Sequence, residues 1–403
     1  MMRPRARVRL WLVPLIVAAA QCTPPPVTTS VSSLAGLQAL ADSGKEMPRH
    51  HLPAGADTNL AMNYYQWGTR LGVDADTAEM SLYWASRLDP SWAEPLFARF
   101  LNAVKALQRD VNLTLLRTRS SRAAKRVALT PRQIAVIDSL QRIAWERNPF
   151  LFSELEFRFP EPGRYGEPIN EAWWAFSKGR FAAAESLFAI ALRQHPDVVS
   201  IRMFRARALF YLGRYDAAVT QLESARDTVR RSTEARLSPV LPSVEMFDYA
   251  IGIVRVQQDD FPAARAAFER ALMQNLAFYW AHTRLAGSAL ALHDTATALA
   301  ELDMAVQIEG RDPALRLYRG VVLKSAGRIR EAEQDLRQAI ALDPYFAEPY
   351  YWLAVSCHQQ GDTATAVENY RRFLRRAPKD APARLNAVRG ISALGAMAAV
   401  DSS

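Results

Sequence analysis

Cysteine is nearly absent from this 403-residue chain, which has only Cys22 and Cys357. Two cysteines so placed make no disulfide framework, and neither a CxxC pair nor any other metal-ligand spacing accompanies them. Lysine is almost as scarce, confined to Lys45, Lys105, Lys125, Lys178, Lys324 and Lys379, so the net charge of +9 is carried mainly by arginine. A uniform arginine bias, without a clustered stripe, speaks against nucleic acid as the partner. No P-loop, GxSxG elbow, HExxH or paired Cys/His cluster occurs, so the common catalytic signatures are missing and no cofactor is expected. Adjacent His50-His51 lack a third ligand and make no metal site. Asp259-Asp260 reads as a turn. Glycine is also low, at 17 residues, and with abundant Ala, Leu, Arg and Glu this favours helix. Half of the chain is hydrophobic, enough for a large core in two or three domains or in one solenoid.

The first residues read as an export address. Arg3, Arg5, Arg7 and Arg9 make a positive start, and Leu10 to Ala20 is an apolar run about half the ~20 residues that a spanning helix needs. Ala18-Ala19-Ala20 supplies the small residues of a cleavage site, so 1–21 is expected to be a signal peptide. Two processing routes remain open. Ordinary cleavage after Ala20 would leave Gln21 first. Alternatively, Ala19-Ala20-Gln21-Cys22 followed by Pro24-Pro25-Pro26 resembles a bacterial lipoprotein start, which implies lipidation of Cys22. It departs from that family at Gln21, where Gly, Ala or Ser is preferred, and at Ala19, where Leu is preferred. Thr23, which is not Asp, would direct such a lipoprotein to the outer membrane. The expected location is therefore outside the cytoplasm, in a periplasm or anchored to an outer membrane. Residues 22–58, rich in Pro, Ser and Thr, follow as a linker.

Farther on, the chemistry repeats every 34 residues. Segments starting at Glu245, Tyr279, Pro313 and Ala347 carry a small residue at Gly252, Ala286, Gly320 and Ala354. A turn follows at Asp259, His293, Gly327 and Gly361, then a second small residue at Ala264, Ala298, Ala332 and Ala366. One helical turn later stand Phe268, Leu302, Leu336 and Tyr370, and after them Ala271, Ala305, Ala339 and, exceptionally, Phe373. Pro344 and Pro378 end two of the units. Earlier copies are centred on Gly179, Phe181, Ala184, Phe188, Ala191 and Pro196, and on Gly213, Tyr215, Ala218, Leu222 and Ala225. About a dozen residues are inserted between these and the later copies, near 227–243, as a basic, proline-broken loop. Ala78, Leu82, Ala85 and Pro90 match one further unit. Leu96 to Leu116 and Pro131 to Arg147 have helical periodicity but no repeat register, and Ala381 to Ala399 reads as a final helix.

Small residues where two antiparallel helices cross, a bulky residue one turn on, and proline to stop the second helix together resemble the tetratricopeptide repeat family. The resemblance implies an all-α solenoid of helical hairpins, wound as a right-handed superhelix with a C-terminal capping helix. In these terms 59–164 is an N-terminal helical region with one hairpin, 165–378 the array, and 379–403 the cap and tail. The implied function is recognition of a partner protein or peptide in a concave groove lined by first helices, without catalysis. The family's groove positions carry over to Tyr249, Trp280, Thr283, Leu317, Lys324, Tyr351 and His358. Lys324 alone does not make the carboxylate-binding set of the chaperone-binding subfamily. The expected role is an exported, envelope-associated scaffold. The alternative is an envelope lipoprotein that binds a small ligand or glycan through the aromatic groove positions. His282 and Cys357 are expected as packed core residues.

Overall fold

A computed structural model describes residues 47–49, 51–70, 72–118, 131–151, 167–231 and 243–395. They hold seventeen α-helices and no strand. The signal-peptide residues, Cys22 and all but the end of the linker lie outside the described residues. No described helix is long and apolar enough to cross a membrane. The helices are α1 (Ala61–Gly68), α2 (Ala75–Leu88), α3 (Ala93–Thr118), α4 (Pro131–Arg147), α5 (Glu167–Ser177), α6 (Phe181–Gln194), α7 (Val199–Tyr211), α8 (Tyr215–Arg231) and α9 (Val244–Val256). After these come α10 (Phe261–Gln274), α11 (Tyr279–Ala291), α12 (Thr295–Ile308), α13 (Pro313–Ser325), α14 (Ile329–Leu342), α15 (Glu348–Gln359), α16 (Thr363–Arg376) and α17 (Ala383–Ala393).

The hairpin turns show why the 34-residue period exists. Gly179, Gly213, Gly327 and Gly361 sit at φ between 70° and 77°, where a Cβ is penalised, and Asp259 and His293 take the same place at 56° and 61°. Asp and His tolerate this left-handed region better than most residues. At each turn a backbone N–H reaches back five residues, as Asp260 does to Arg255 and Arg328 to Leu323, closing the end of the first helix. The second helix then starts on a capping side chain where one is available. Asp260 accepts from the Ala263 amide at 3.2 Å and Asp294 from Thr297 at 3.0 Å.

The repeating apolar positions form the core. Ala184, Phe188 and Ala191 are fully buried, as are Ala218, Leu222 and Ala225 and Ala264, Phe268 and Ala271, and the same offsets are closed in the later hairpins. Burying a side chain the size of Leu or Phe stabilises by roughly 1.5–3 kcal/mol. No single hairpin can bury both faces of its second helix, so stability comes from stacking, and α10 packs on α11 as well as on α9. Small and large residues are matched across each crossing. A Cβ on Gly252 would lie 2.4 Å from the Phe268 ring, whereas one on Gly320 would lie 3.1 Å from Leu336.

Charged side chains tie neighbouring helices together. Asp248 on α9 is buried and accepts from Arg226 of α8 at 2.7 Å, and from Arg270 and Gln274 of α10 at 3.2 and 2.9 Å. Asp335 on α14 does the same for Arg316 and Arg319 of α13, and Arg319 also reaches Asp303 at 3.0 Å. His282 is a core residue, held by Glu301 at 2.6 Å and by the Leu276 carbonyl at 3.1 Å.

The chain divides into two compact units, residues 1–144 with Ala377–Ala381, and Trp145–Arg376 with Pro382–Ser403. In the first, α1 and α2 form the hairpin expected from Ala78, Leu82 and Ala85; a Cβ on Gly68 would sit 2.7 Å from Leu82. Arg99 of α3 and Glu79 of α2 form a buried ion pair at 2.8 Å, and Trp84 donates its indole N–H to the carbonyls of Met47 and Pro48.

The compact unit that holds the array also takes in Trp145 and Phe150, which pack with it. Two sequence expectations need correction. The insertion does not begin as a loop: α8 continues through Asp227 to Arg231, with Val229 buried beneath it, and 232–242 lie outside the described residues. The final helix is shorter than Ala381 to Ala399. It ends at Ala393, and Gly395 at φ 71° stands 34 residues after Gly361, so α17 has the register of a first helix.

Candidate functional site

First helices line one face of the array, and their outward side chains were the expected groove. The seven expected residues separate into two groups. Tyr249, Trp280, Thr283 and Leu317 are buried, whereas Lys324, Tyr351 and His358 keep partial exposure. Thr283 spends its hydroxyl on the Tyr279 carbonyl one turn back, at 2.9 Å. Tyr351 leans on Tyr370 and Phe373 of its own hairpin, with ring centroids at 6.1 and 5.3 Å, and His358 contacts Tyr370 edge-on. Lys324 reaches the face of Trp352 on the next first helix, 5.7 Å from its centroid. That contact leaves the α13–α15 end of the face both cationic and aromatic.

The centre of the face is a ring of aromatic groups around Trp280. Tyr279 and Tyr318 stand 5.9 and 6.0 Å from it, centroid to centroid, and the Arg284 guanidinium lies 5.8 Å over its ring. Tyr249 on α9 stacks obliquely on Phe278 at 4.6 Å. Burial pushes the Tyr249 phenol up, against Arg284, which pulls it down.

The same face holds a stretch of the chain's own backbone. From the last turn of α4 and the residues after it, Trp145, Arg147 and Phe150 lie against the first helices. Phe150 belongs to the core built by Val199, Met203 and Ala206 of α7 and by Phe247 and Ala250 of α9, with its ring 5.7 Å from Phe210. Trp145 packs on the same cluster. Arg147 is inserted among Trp280, Tyr279, Tyr318 and Asp312. Its Nη2 lies 2.7 Å from Asp312 Oδ2, and its guanidinium carbon lies 5.4 Å from the centre of the Trp280 ring. Side-chain exposure is 7% for Arg147 and 4% for Asp312. Burial works to lower the Arg147 pKa, but Asp312 and the phenols of Tyr279 and Tyr318 outweigh it and hold the group above its usual value. Asp312 is well placed for this because it also caps α13, accepting from the Ala314 and Leu315 amides at 2.9 and 3.4 Å. Losing one member of a buried pair costs about 3–5 kcal/mol.

Arg147, Asp312, Tyr279 and Tyr318 were not legible as site residues. Asp312-Pro313 reads as a helix start and nothing more. Arg147 falls in a helix without repeat register, so no positional rule could bring it to the array. Among the described residues no group of three or more His, Cys, Asp or Glu could hold a metal ion. The Cys357 thiol is buried, and burial together with Glu333 pushes it up to about 11.

A tetratricopeptide repeat family profile matches residues 169–232, 249–314 and 319–381. A cytochrome c-type biogenesis protein, CycH of Rhizobium meliloti, is 33% identical over 88 residues, which are 21% of this chain and 23% of that protein. The chain thus spans about a quarter of the length of that relative. Among solved structures, YrrB, a repeat protein described as having an unusual peptide-binding site, is 18% identical, covering 51% of this chain and 97% of its own, with a TM-score of 0.39. A thermophilic repeat protein of Thermus thermophilus, TTC0263, is 22% identical over 48% of this chain and 100% of its own, with a TM-score of 0.38. MamA of Desulfovibrio magneticus RS-1 is 16% identical over 44% and 93%, with a TM-score of 0.37.

Proposed function

We propose, from the match of residues 169–232, 249–314 and 319–381 to tetratricopeptide repeats, whose general use is as protein–protein interaction scaffolds, that the chain is an exported, envelope-associated scaffold that holds a partner polypeptide along its first-helix face, without catalysing a reaction. The observation that carries this reading is that the face already accommodates polypeptide: Trp145, Arg147 and Phe150 lie on α7, α9, α11 and the start of α13. Large aromatic side chains beside arginine, as at Trp280, Arg284 and Tyr318, are the usual anchors of such contacts. The biogenesis role in CycH's name is that protein's own, and a match over 88 aligned residues does not bring it here.

Export and tethering rest on the arginine-led apolar start and on Cys22. Palmitate labelling of the full chain should be abolished by Cys22→Ala; labelling that survives the substitution rules the tether out. The partner reading is tested by placing a photo-crosslinking amino acid at Tyr318, which is 39% exposed. Irradiated cells should yield one or two discrete crosslinked proteins that disappear when Trp352 is changed to Ala. Crosslinks only to glycan, or to no protein at all, would replace this reading with the small-ligand one.

A further inference from the structure

Arg147 is the feature of this face that packing does not explain. Isolating a guanidinium and a carboxylate from water is costly, and an apolar side chain of similar volume would fill the same space as stably or better. Yet the surroundings are built for a guanidinium. Trp280 offers a ring face 5.4 Å from its carbon, Asp312 a carboxylate oxygen at 2.7 Å, and the Tyr279 hydroxyl points at the same carboxylate from 3.3 Å. A planar cation with several donors, stacked on an aromatic face and paired with a carboxylate, is how proteins recognise arginine in preference to lysine. A second observation concerns the fit. The buried Trp280 indole N–H finds no acceptor among the described residues. A buried donor left unmet is unusual in a permanent packing contact. It fits a site whose full complement of hydrogen bonds is made with something other than the segment now in it.

We infer that Trp280, Asp312, Tyr279 and Tyr318 form an arginine-recognition site, and that Arg147 occupies it in cis as a stand-in for an arginine of the partner polypeptide. This deepens the scaffold reading above and rests on it. The partner is a polypeptide with an arginine flanked by aromatic residues, the arrangement that Trp145, Arg147 and Phe150 present. A carbonyl of that partner meets the Trp280 indole. Binding requires that 145–151 leave the face, so the segment sets the threshold for partner entry.

The test uses a labelled synthetic peptide with the sequence of residues 143–151 and the same peptide with Arg147→Ala. In the full-length protein Arg147→Glu sets two carboxylates against each other and expels the segment. That protein should bind the peptide at least tenfold tighter than the wild type does, and should not bind the Ala peptide. Equal binding of both peptides, or no gain over wild type in a variant with native circular dichroism, overturns the proposal. If Arg147→Glu does not fold, Arg147→Ala replaces it with ethylguanidinium as probe. The cation should raise the melting temperature of Arg147→Ala and not that of the wild type or of Arg147→Ala/Asp312→Asn, and equal shifts in all three overturn the proposal. Loss of these effects while Tyr318 crosslinks persist would sink the arginine site alone; loss of the crosslinks alone would sink the scaffold reading.

Discussion

Gly252→Ala asks whether the matched crossings hold the array together. Gly252 lies on α9 and faces Phe268 of α10, and a Cβ there would meet ring carbons at 2.4, 2.6 and 2.8 Å. Ordinary carbon contacts start near 3.5 Å, so the overlap is about 1 Å against a ring with no free side. Phe268 is fully buried, with Tyr249 5.7 Å away, centroid to centroid. Overpacking of this kind costs typically ~1–3 kcal/mol. Replacing glycine by alanine inside a helix returns roughly 0.5–1 kcal/mol. The steric effect wins, and the variant should lose about 1–2 kcal/mol net. Gly287→Ala on α11 isolates the opposing effect, because a Cβ there meets nothing within 4 Å; it should be neutral or slightly stabilising. Phe268→Leu should relieve the clash, since Ala286 and Leu302 already pair in this way one repeat later. Urea unfolding followed by circular dichroism on the full chain measures the wild type, the three single variants and the Gly252→Ala/Phe268→Leu double variant. If Gly252→Ala unfolds at the wild-type midpoint, or if Phe268→Leu adds its cost without offsetting that of Gly252→Ala, the small-against-large account of the repeat is wrong.

Four further outcomes are expected. Asp259→Gly should stabilise by about 0.5–1 kcal/mol, because an L residue at φ 56° bears a strain that glycine lacks; a lower urea midpoint would contradict this. Asp248→Ala leaves Arg226 and Arg270 without their shared carboxylate, and should cost near the lower end of about 3–5 kcal/mol because Arg270 is partly exposed. The Asp294 carboxyl is held below its usual 3.8 by the Thr297 hydrogen bonds and by Arg265. Its contribution is therefore present above pH 4 and lost as pH falls through the lower folded value, and Asp294→Asn should flatten the acid side of the melting-temperature profile. With its thiol pushed up to about 11, Cys357 should resist maleimide at pH 8 in the folded protein and react on unfolding.

The hairpins were legible because their determinants are local. Gly179, Gly213, Gly327 and Gly361 stop a first helix by backbone conformation alone, and alanine opposite a bulky residue encodes a crossing wherever it recurs. Even the exceptions could be placed, since Asp259 and His293 stand at the glycine position and adopt its conformation. The insertion was legible only in length. Nothing between Gly213 and Asp259 signals that α8 continues to Arg231 with Val229 buried. Groove positions carried over from the repeat named Trp280 and Tyr249, but a position within a repeat does not say what lies on top of it.

Local pattern, then, determined by itself that this is a stack of helical hairpins, where each turn falls and which face each helix buries, because those features depend on residues fewer than 34 positions apart. Arg147 and Asp312 are separated by 165 residues. No periodicity reaches across that distance, and the pairing exists only because the stacked hairpins bring Trp280 and the start of α13 to the same side. The tertiary structure alone decided that part of the first-helix face is already filled, and that the filling group is an arginine.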